Sequence, residues 1–239
     1  MKYPGAEGDT MHSVTHGPLI SAADCRSAAM GILVIVFFLS TACGLRIPSN
    51  GVADRGQEGA SMPVYYVLEP YPQPKAVANL QPGLDVVYFF DYSARNLDVM
   101  PEYNPAKPRG TKGAPISNLN HHFGYGQVFN SGVSQEVGMR FTGWIHLAQS
   151  GEYAFQALSN DGIRVFIGGQ KILDDPTQHS DRLTGPVVSR IQNPGWHPIR
   201  VDYFQRKGTA AIVLSWQPPG SDGFVPIPPE MLAHEPINP

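Results

Sequence analysis

The stretch "EVGMRFTGWIHLAQSGEYAFQAL", residues 136–158, decides how this chain folds. Val137, Met139, Phe141, Gly143, Ile145 and Leu147 fall on one side of it, and Arg140, Thr142, Trp144 and His146 on the other. A period of two is that of an extended strand with one buried face; a helix would bring apolar residues back after three and four positions. After the break at Ser150 and Gly151 the alternation resumes with Tyr153, Phe155 and Ala157. Three later segments repeat it. Ile163, Val165 and Ile167 stand opposite Arg164 and Phe166. Ile199, Val201 and Tyr203 stand opposite Arg200, Asp202 and Phe204, and Ala210, Ile212, Leu214 and Trp216 opposite Ala211, Val213 and Ser215. Five short strands separated by turns predict an all-β domain, either a sandwich or a barrel.

Composition agrees. Hydrophobic residues make up 42% of the 239 and charged ones 15%, which suits a packed core, and 25 Gly with 23 Pro argue for many turns rather than long helices. The formal net charge is -3 and no block of Lys and Arg stands out, so no nucleic-acid partner is expected. Near the start, "MGILVIVFFL" (residues 30–39) is uniformly apolar, follows Arg26 and runs into "STAC" (residues 40–43). A positively flanked apolar core ahead of small residues is the pattern of a secretory signal, and it is shorter than the roughly 20 residues that cross a bilayer. "STAC" resembles the bacterial lipobox, with Ser40 where that box usually carries Leu. If Cys25 leaves with the signal, Cys43 is the sole thiol of an exported chain, and lipidation of Cys43 accounts for it. Residues 1–42 are therefore expected as a signal sequence, and 43–80 as a tether rich in Pro, Gly and Ser. The tether's patch "PVYYVL" (residues 63–68) is flanked by prolines and is at most an edge strand. The folded domain is expected over 81–220, followed by a Pro-rich tail, 221–239.

The segments "RFTGWIHLAQSGEYAFQALSNDGIRVFIGGQKILDD" and "GWHPIRVDYFQRKGTAAIVLSWQPPG" together resemble the anthrax protective-antigen-type domain. This module also occurs in yeast flocculins and bacterial glycosidases. The resemblance implies an antiparallel β-sandwich and carbohydrate binding. In the sugar-binding flocculin branch, two adjacent Asp residues joined by a cis peptide hold Ca²⁺ with a neighbouring loop. The matching positions here are Asn160 and Asp161, so one negative charge is lost. The second loop corresponds to Gln205, Arg206, Lys207 and Gly208, short and basic where cation ligands belong. Three readings stay open for "NDG": a plain turn of residues that tolerate unusual backbone angles, direct sugar contact by Asn160, Asp161, Gln205, Arg206 and Lys207, or a Ca²⁺ site. No cofactor is expected, with Ca²⁺ as the alternative.

Other residues read more simply. Trp144 and Trp216 lie in alternating strands and suit packing, while Trp196, in "NPGWHP", suits an exposed turn. Arg164, Arg200 and Asp202 suit cross-strand ion pairs, and Asp174 and Asp175 a solvated loop. His121 and His122 are adjacent, hence on opposite faces of any strand, and no metal site is expected from them. No nucleophile-elbow or zinc-helix pattern appears, and about twenty residues follow the domain. The expectation is an exported, membrane-anchored lipoprotein of the cell envelope that binds a glycan or cell-surface polysaccharide and is not an enzyme. The alternative is a structural or protein-interaction domain of the envelope.

Overall fold

The computed structural model describes residues 64–68, 77–102 and 109–236. The signal sequence, Cys43 and most of the tether lie outside the described residues.

The predicted strands pair into two sheets, numbered here in chain order. One contains Val64–Leu68 (β1), Val187–Ile191 (β11), Gly151–Asn160 (β7), Ala210–Gln217 (β13) and Val225–Pro226 (β14), in that spatial order. Asn120–Gly124 (β5) and Arg182–Leu183 (β10) attach to its flanks. The other runs Gln81–Pro82 (β2), Leu232–His234 (β15), Val137–Leu147 (β6), Gly195–Gln205 (β12), Ile163–Ile167 (β8) and Gln170–Asp175 (β9). Asp85–Phe90 (β3) joins it beside β6, and Thr111–Lys112 (β4) beside β3. The fold is all-β, and helical geometry among the described residues is confined to three single 3₁₀ turns.

The side chains that the period of two marks as apolar fill the space between the sheets. Val137, Met139, Phe141, Ile145 and Leu147 of β6 are fully buried, as are Ile163, Val165 and Ile167 of β8. They meet Tyr153, Phe155 and Ala157 of β7 and Ile212, Leu214 and Trp216 of β13 in one continuous core. Burial of this kind stabilises by about 25 cal/mol per Å² of apolar surface, so these four strands carry most of the fold.

Two features depart from the sequence reading. The first sheet is mixed rather than antiparallel, because β1 runs parallel to β11 from Val64 opposite Val187 to Leu68 opposite Ile191. The patch expected as an edge strand is this β1, and it lies at the sheet edge. The sheets also reach past both expected limits of the domain. Leu68 belongs to the core, and within the stretch expected as a tail Ile227, Leu232 and Ala233 are buried. β15 pairs with both β2 and β6, which closes that side of the second sheet.

A row of alternating charge crosses the second sheet. Register sets Asp202 of β12 between Arg140 of β6 and Arg164 of β8, with Asp174 of β9 beyond Arg164. Arg140 Nε and Nη2 donate to the two Asp202 carboxylate oxygens at 2.6 and 3.2 Å, and Arg164 Nε donates to Asp174 Oδ1 at 2.6 Å. The expected ion pairs are thus present for Arg164 and Asp202, and Arg200, with Cζ 3.9 Å above the Phe166 ring, also lies 3.8 Å from the Glu102 carboxylate and 3.6 Å from that of Asp202. Asp174 and Asp175 are not a solvated loop. They end β9, Asp174 between Arg164 and Lys171 and Asp175 between Arg182 and His179. The Arg140–Asp202 pair is buried because the segment after β3 folds over it. Tyr92, Leu97 and Met100 pack on Phe89 and Phe204 as a second small core, and the Pro101 carbonyl accepts from Arg140 Nη1.

Arg140 and Asp202 are 3% and 4% exposed, so removing one partner strands the other's charge in a dry site. Asp202→Ala is expected to cost about 3–5 kcal/mol in urea denaturation. Glu152→Ala, which breaks the exposed pair with Arg190, is expected to change stability by less than about 1 kcal/mol.

Candidate functional site

Strand directions bring five connections to one end of the sandwich: those after β3, β5, β7, β9 and β12. Two of them carry the chain between sheets. Residues 161–162 lead from β7 in the first sheet to β8 in the second, and residues 206–209 lead from β12 back to β13. The "NDG" turn therefore closes no hairpin. The hairpin turn is Gly168 and Gly169, between β8 and β9, with φ of 60° and 79°, the left-handed pair that a two-residue turn requires.

The two crossovers touch. Asp161 N donates to the Phe204 carbonyl at 3.1 Å, and Phe204 N to the Gly162 carbonyl at 3.2 Å. Gly162 has no unusual φ; a glycine is needed because a Cβ there would stand 2.7 Å from the Phe204 ring and 2.8 Å from the Pro176 backbone. The Asn160–Asp161 peptide is cis. Neither residue has positive φ, so the turn is not one chosen for left-handed angles.

Asp161 is 2% exposed. Its Oδ2 accepts from Arg206 N at 2.7 Å, and backbone N–H groups of Lys207 and His179 also bond its carboxylate. Burial pushes the Asp161 pKa up, and these backbone donors hold it back down. Asn160, 5% exposed, is equally committed. Its Nδ2 donates to Asp181 Oδ1 at 2.8 Å and to Thr209 Oγ1 at 3.1 Å, while its carbonyl accepts from the Tyr203 hydroxyl at 2.5 Å.

This donor set does not fit Ca²⁺, which takes six to eight oxygen ligands. The carboxylate is faced by three N–H dipoles whose positive ends oppose a cation, and Asn160 turns its amide N–H groups toward the neighbouring oxygens. Among the described residues no cluster of three or more His, Cys, Asp or Glu has a metal-binding arrangement. His121 and His122 lie on strand β5 rather than in a loop, and His121 stacks on Phe123 with ring centroids 5.3 Å apart.

Of the five residues expected to touch a ligand, three face inward. Asn160 and Asp161 are frame. Gln205, expected as a ligand contact, is fully buried instead of presented at the surface, its Nε2 donating to the Gly208 carbonyl at 3.2 Å. Arg206 and Lys207 remain, half-buried and exposed respectively. Arg206 is the hub of this end. Its carbonyl accepts from Glu136 N at 3.2 Å, its Nε donates to the Ser93 carbonyl at 2.9 Å and its Nη1 to Gln178 Oε1 at 3.3 Å. One residue thus ties together the connections after β3, β7 and β9 and the start of β6.

The model of the PA14 domain matches residues 80–229. The chain belongs to the PA14 domain family. Among solved structures, the PA14 domain of the MpAFP antifreeze protein is 15% identical with a TM-score of 0.53, covering 71% of this chain and 100% of that one. The epithelial adhesin 9 A domain of Candida glabrata, solved in complex with Galb1-3GlcNAc, is 13% identical at a TM-score of 0.52, covering 73% and 99%. An anti-sigma factor domain-containing protein of Clostridium clariflavum is 18% identical at 0.52, covering 66% of this chain. The PA14 chain spans about half the length of that protein, 49%. At these identities the likeness is one of fold. No curated protein matches the chain by sequence.

Sequence reasoning missed Ser93, Gln178, His179, Asp181 and Thr209, all from connections that carry no periodic signal. For Gln205 a signal existed. The odd positions 199, 201 and 203 point inward, and one further step of two puts residue 205 inside as well. The tryptophans divide: Trp216 is buried against Tyr153, whereas Trp144 is half-buried and Trp196 is half-buried beside His146 rather than fully exposed.

Asp161→Ala leaves buried backbone donors without an acceptor and is expected to cost about 1–3 kcal/mol in urea denaturation. The pH dependence has a fixed sign. The folded carboxyl keeps its proton above the ordinary value of 3.8, so this group favours the folded state below 3.8 and loses that contribution as pH rises through its folded value. The stability of the native chain minus that of Asp161→Asn should therefore fall between about pH 3 and neutrality.

Proposed function

We propose that this PA14 chain is an exported, non-catalytic module that binds carbohydrate at the loop end, with Arg206 and Lys207 as contacts and Asn160 and Asp161 as the frame beneath them. The observation that carries the reading is the convergence of five connections on Arg206, with Gln178 bonded to its guanidinium and Asp181 and Thr209 bonded to Asn160. Likeness in fold to a carbohydrate-bound domain, the adhesin solved in complex with Galb1-3GlcNAc, supports it beside membership of the PA14 family. A glycan presents hydroxyl groups that suit such a ring of amide, hydroxyl and guanidinium partners. The site works without a metal, since the carboxylate that would hold one is spent on backbone N–H groups.

For the interaction-domain alternative, the candidate contact surface is the turn-rich excursion over residues 96–125. Leu97 and Met100 are buried against Phe204 and Phe89, which makes that part of the excursion a cover for the second sheet. The same proposal places the chain in the cell envelope, held to a membrane through lipid on Cys43, with no nucleic-acid partner.

A glycan array with the full chain, run with Ca²⁺ and with EDTA, is expected to give the same binding in both conditions. Loss of binding in EDTA would place a metal at the site, and no binding in either condition would overturn the carbohydrate reading. For the anchor, Cys43→Ser is expected to move the chain from the membrane fraction to the soluble exported fraction. Retention of the variant in the membrane would remove Cys43 as the attachment point.

A further inference from the structure

We infer that the saccharide taken at the loop end is an acidic one, carrying a carboxylate or sulfate on its ring; this rests on the carbohydrate reading above. Elsewhere on the domain most described cations are matched: Arg140, Arg164, Arg182 and Arg190 each lie within ion-pair distance of a carboxylate, and exposed Arg109, among the described residues, does not. At the loop end Arg95, Arg206 and Lys207 form no ion pair among the described residues, and they are brought to the same place. Gln178 links them, its backbone N donating to the Arg95 carbonyl at 2.9 Å and its side chain accepting from Arg206. Arg95 and Lys207 are exposed.

Arg206 is built as an anion receptor. Its guanidinium is fixed by two neutral oxygens, the Ser93 carbonyl and Gln178 Oε1, so its charge is held in place without being cancelled. Its Nη2 donates to no acceptor among the described residues, which leaves the N–H groups of that nitrogen for a ligand. A fixed guanidinium charge with open N–H groups favours a charged oxygen of a carboxylate or sulfate over a neutral hydroxyl. The carboxylates of this end leave it open. Asp161 is buried under backbone N–H groups, Asp175 is paired with Arg182, and Asp181 accepts from Asn160. Asp91 and Glu136 are exposed, and neither comes within ion-pair distance of the three cations. The whole chain carries a formal charge of -3, so general attraction to a polyanion is not expected and any preference for one is local.

The test compares three probes on the full chain by calorimetry or biolayer interferometry: oligogalacturonate, sulfated dextran and unmodified dextran, each at low and high salt. Arg95→Gln combined with Lys207→Gln removes two charges and leaves Arg206 in its structural place, and urea denaturation of the double variant checks that the fold is kept. The expected result is that one or both anionic probes bind, that their binding weakens with salt, and that the double variant loses about tenfold in affinity. Binding of oligogalacturonate alone assigns the ligand to carboxylate sugars; binding of sulfated dextran alone assigns it to sulfated ones. Equal binding of unmodified dextran, unchanged by salt and by the double variant, would overturn the acidic class and leave the carbohydrate reading intact. A glycan array showing only neutral ligands would do the same. Absence of binding to every probe and to the array would overturn both.

Discussion

A carboxylate buried where two strands change sheets is the constraint on which the loop end depends. Strand β7 leaves the first sheet at Asn160 and strand β12 leaves the second at Gln205, so two chain crossings must pass each other at one edge of the core. Crossings of this kind break the hydrogen-bond ladders and leave backbone N–H groups that have no strand to pair with. Asp161 supplies the acceptor. It takes the N–H of Arg206 and bonds the backbones of Lys207 and His179, which join a third connection to the first two. The cost is a desolvated charge, visible in the raised pKa, and the return is a set of loops whose backbones are fixed relative to the sheets.

The second sheet solves a related problem on its outer side. Near its loop end the outward-facing positions of β6 and β12 hold Arg140 and Asp202, which a solvated sheet face would leave in water. The segment after β3 covers them instead, closing a small core of Tyr92, Leu97 and Met100 over Phe204. Phe204 is why β12 is buried on both faces at that end, where Tyr203 fills the main core and Phe204 the outer one. The apolar cover and the Arg140–Asp202 pair support each other, since the pair needs a dry site to be strong and the cover needs a neutralised charge beneath it.

The sandwich was legible because a period of two survives in β6, β7, β8, β12 and β13, even where parts of β6, β12 and β13 are covered on both faces. Parity carried further than strand identity, placing even Gln205 correctly once it is followed to the strand end. What was not legible is whatever depends on partners far away in the chain. The short strand β15 has no alternation to read in three residues, and β1 becomes a strand by running beside β11, 123 positions later. The charged residues of the outer row looked solvated because nothing in their own strands announces a cover. At the site, "NDG" suggested a turn of permissive residues, yet Gly162 is there for the space that Phe204 and Pro176 leave it. The paired positions 160 and 161 were found through family resemblance, and their inward, structural role only through their hydrogen bonds.

One property of the loop end bears on how such a domain can diverge. Asp161 holds Arg206, Lys207 and His179 by their main chains, and a main-chain N–H is common to every residue except proline. The scaffold thus addresses positions and is indifferent to the side chains that occupy them. Lys207, which the frame holds only by its backbone, can be exchanged with little effect on the architecture below, whereas Asp161 and Gly162 cannot. A surface built in this way lets selection rewrite what is recognised while the recognition platform is inherited unchanged.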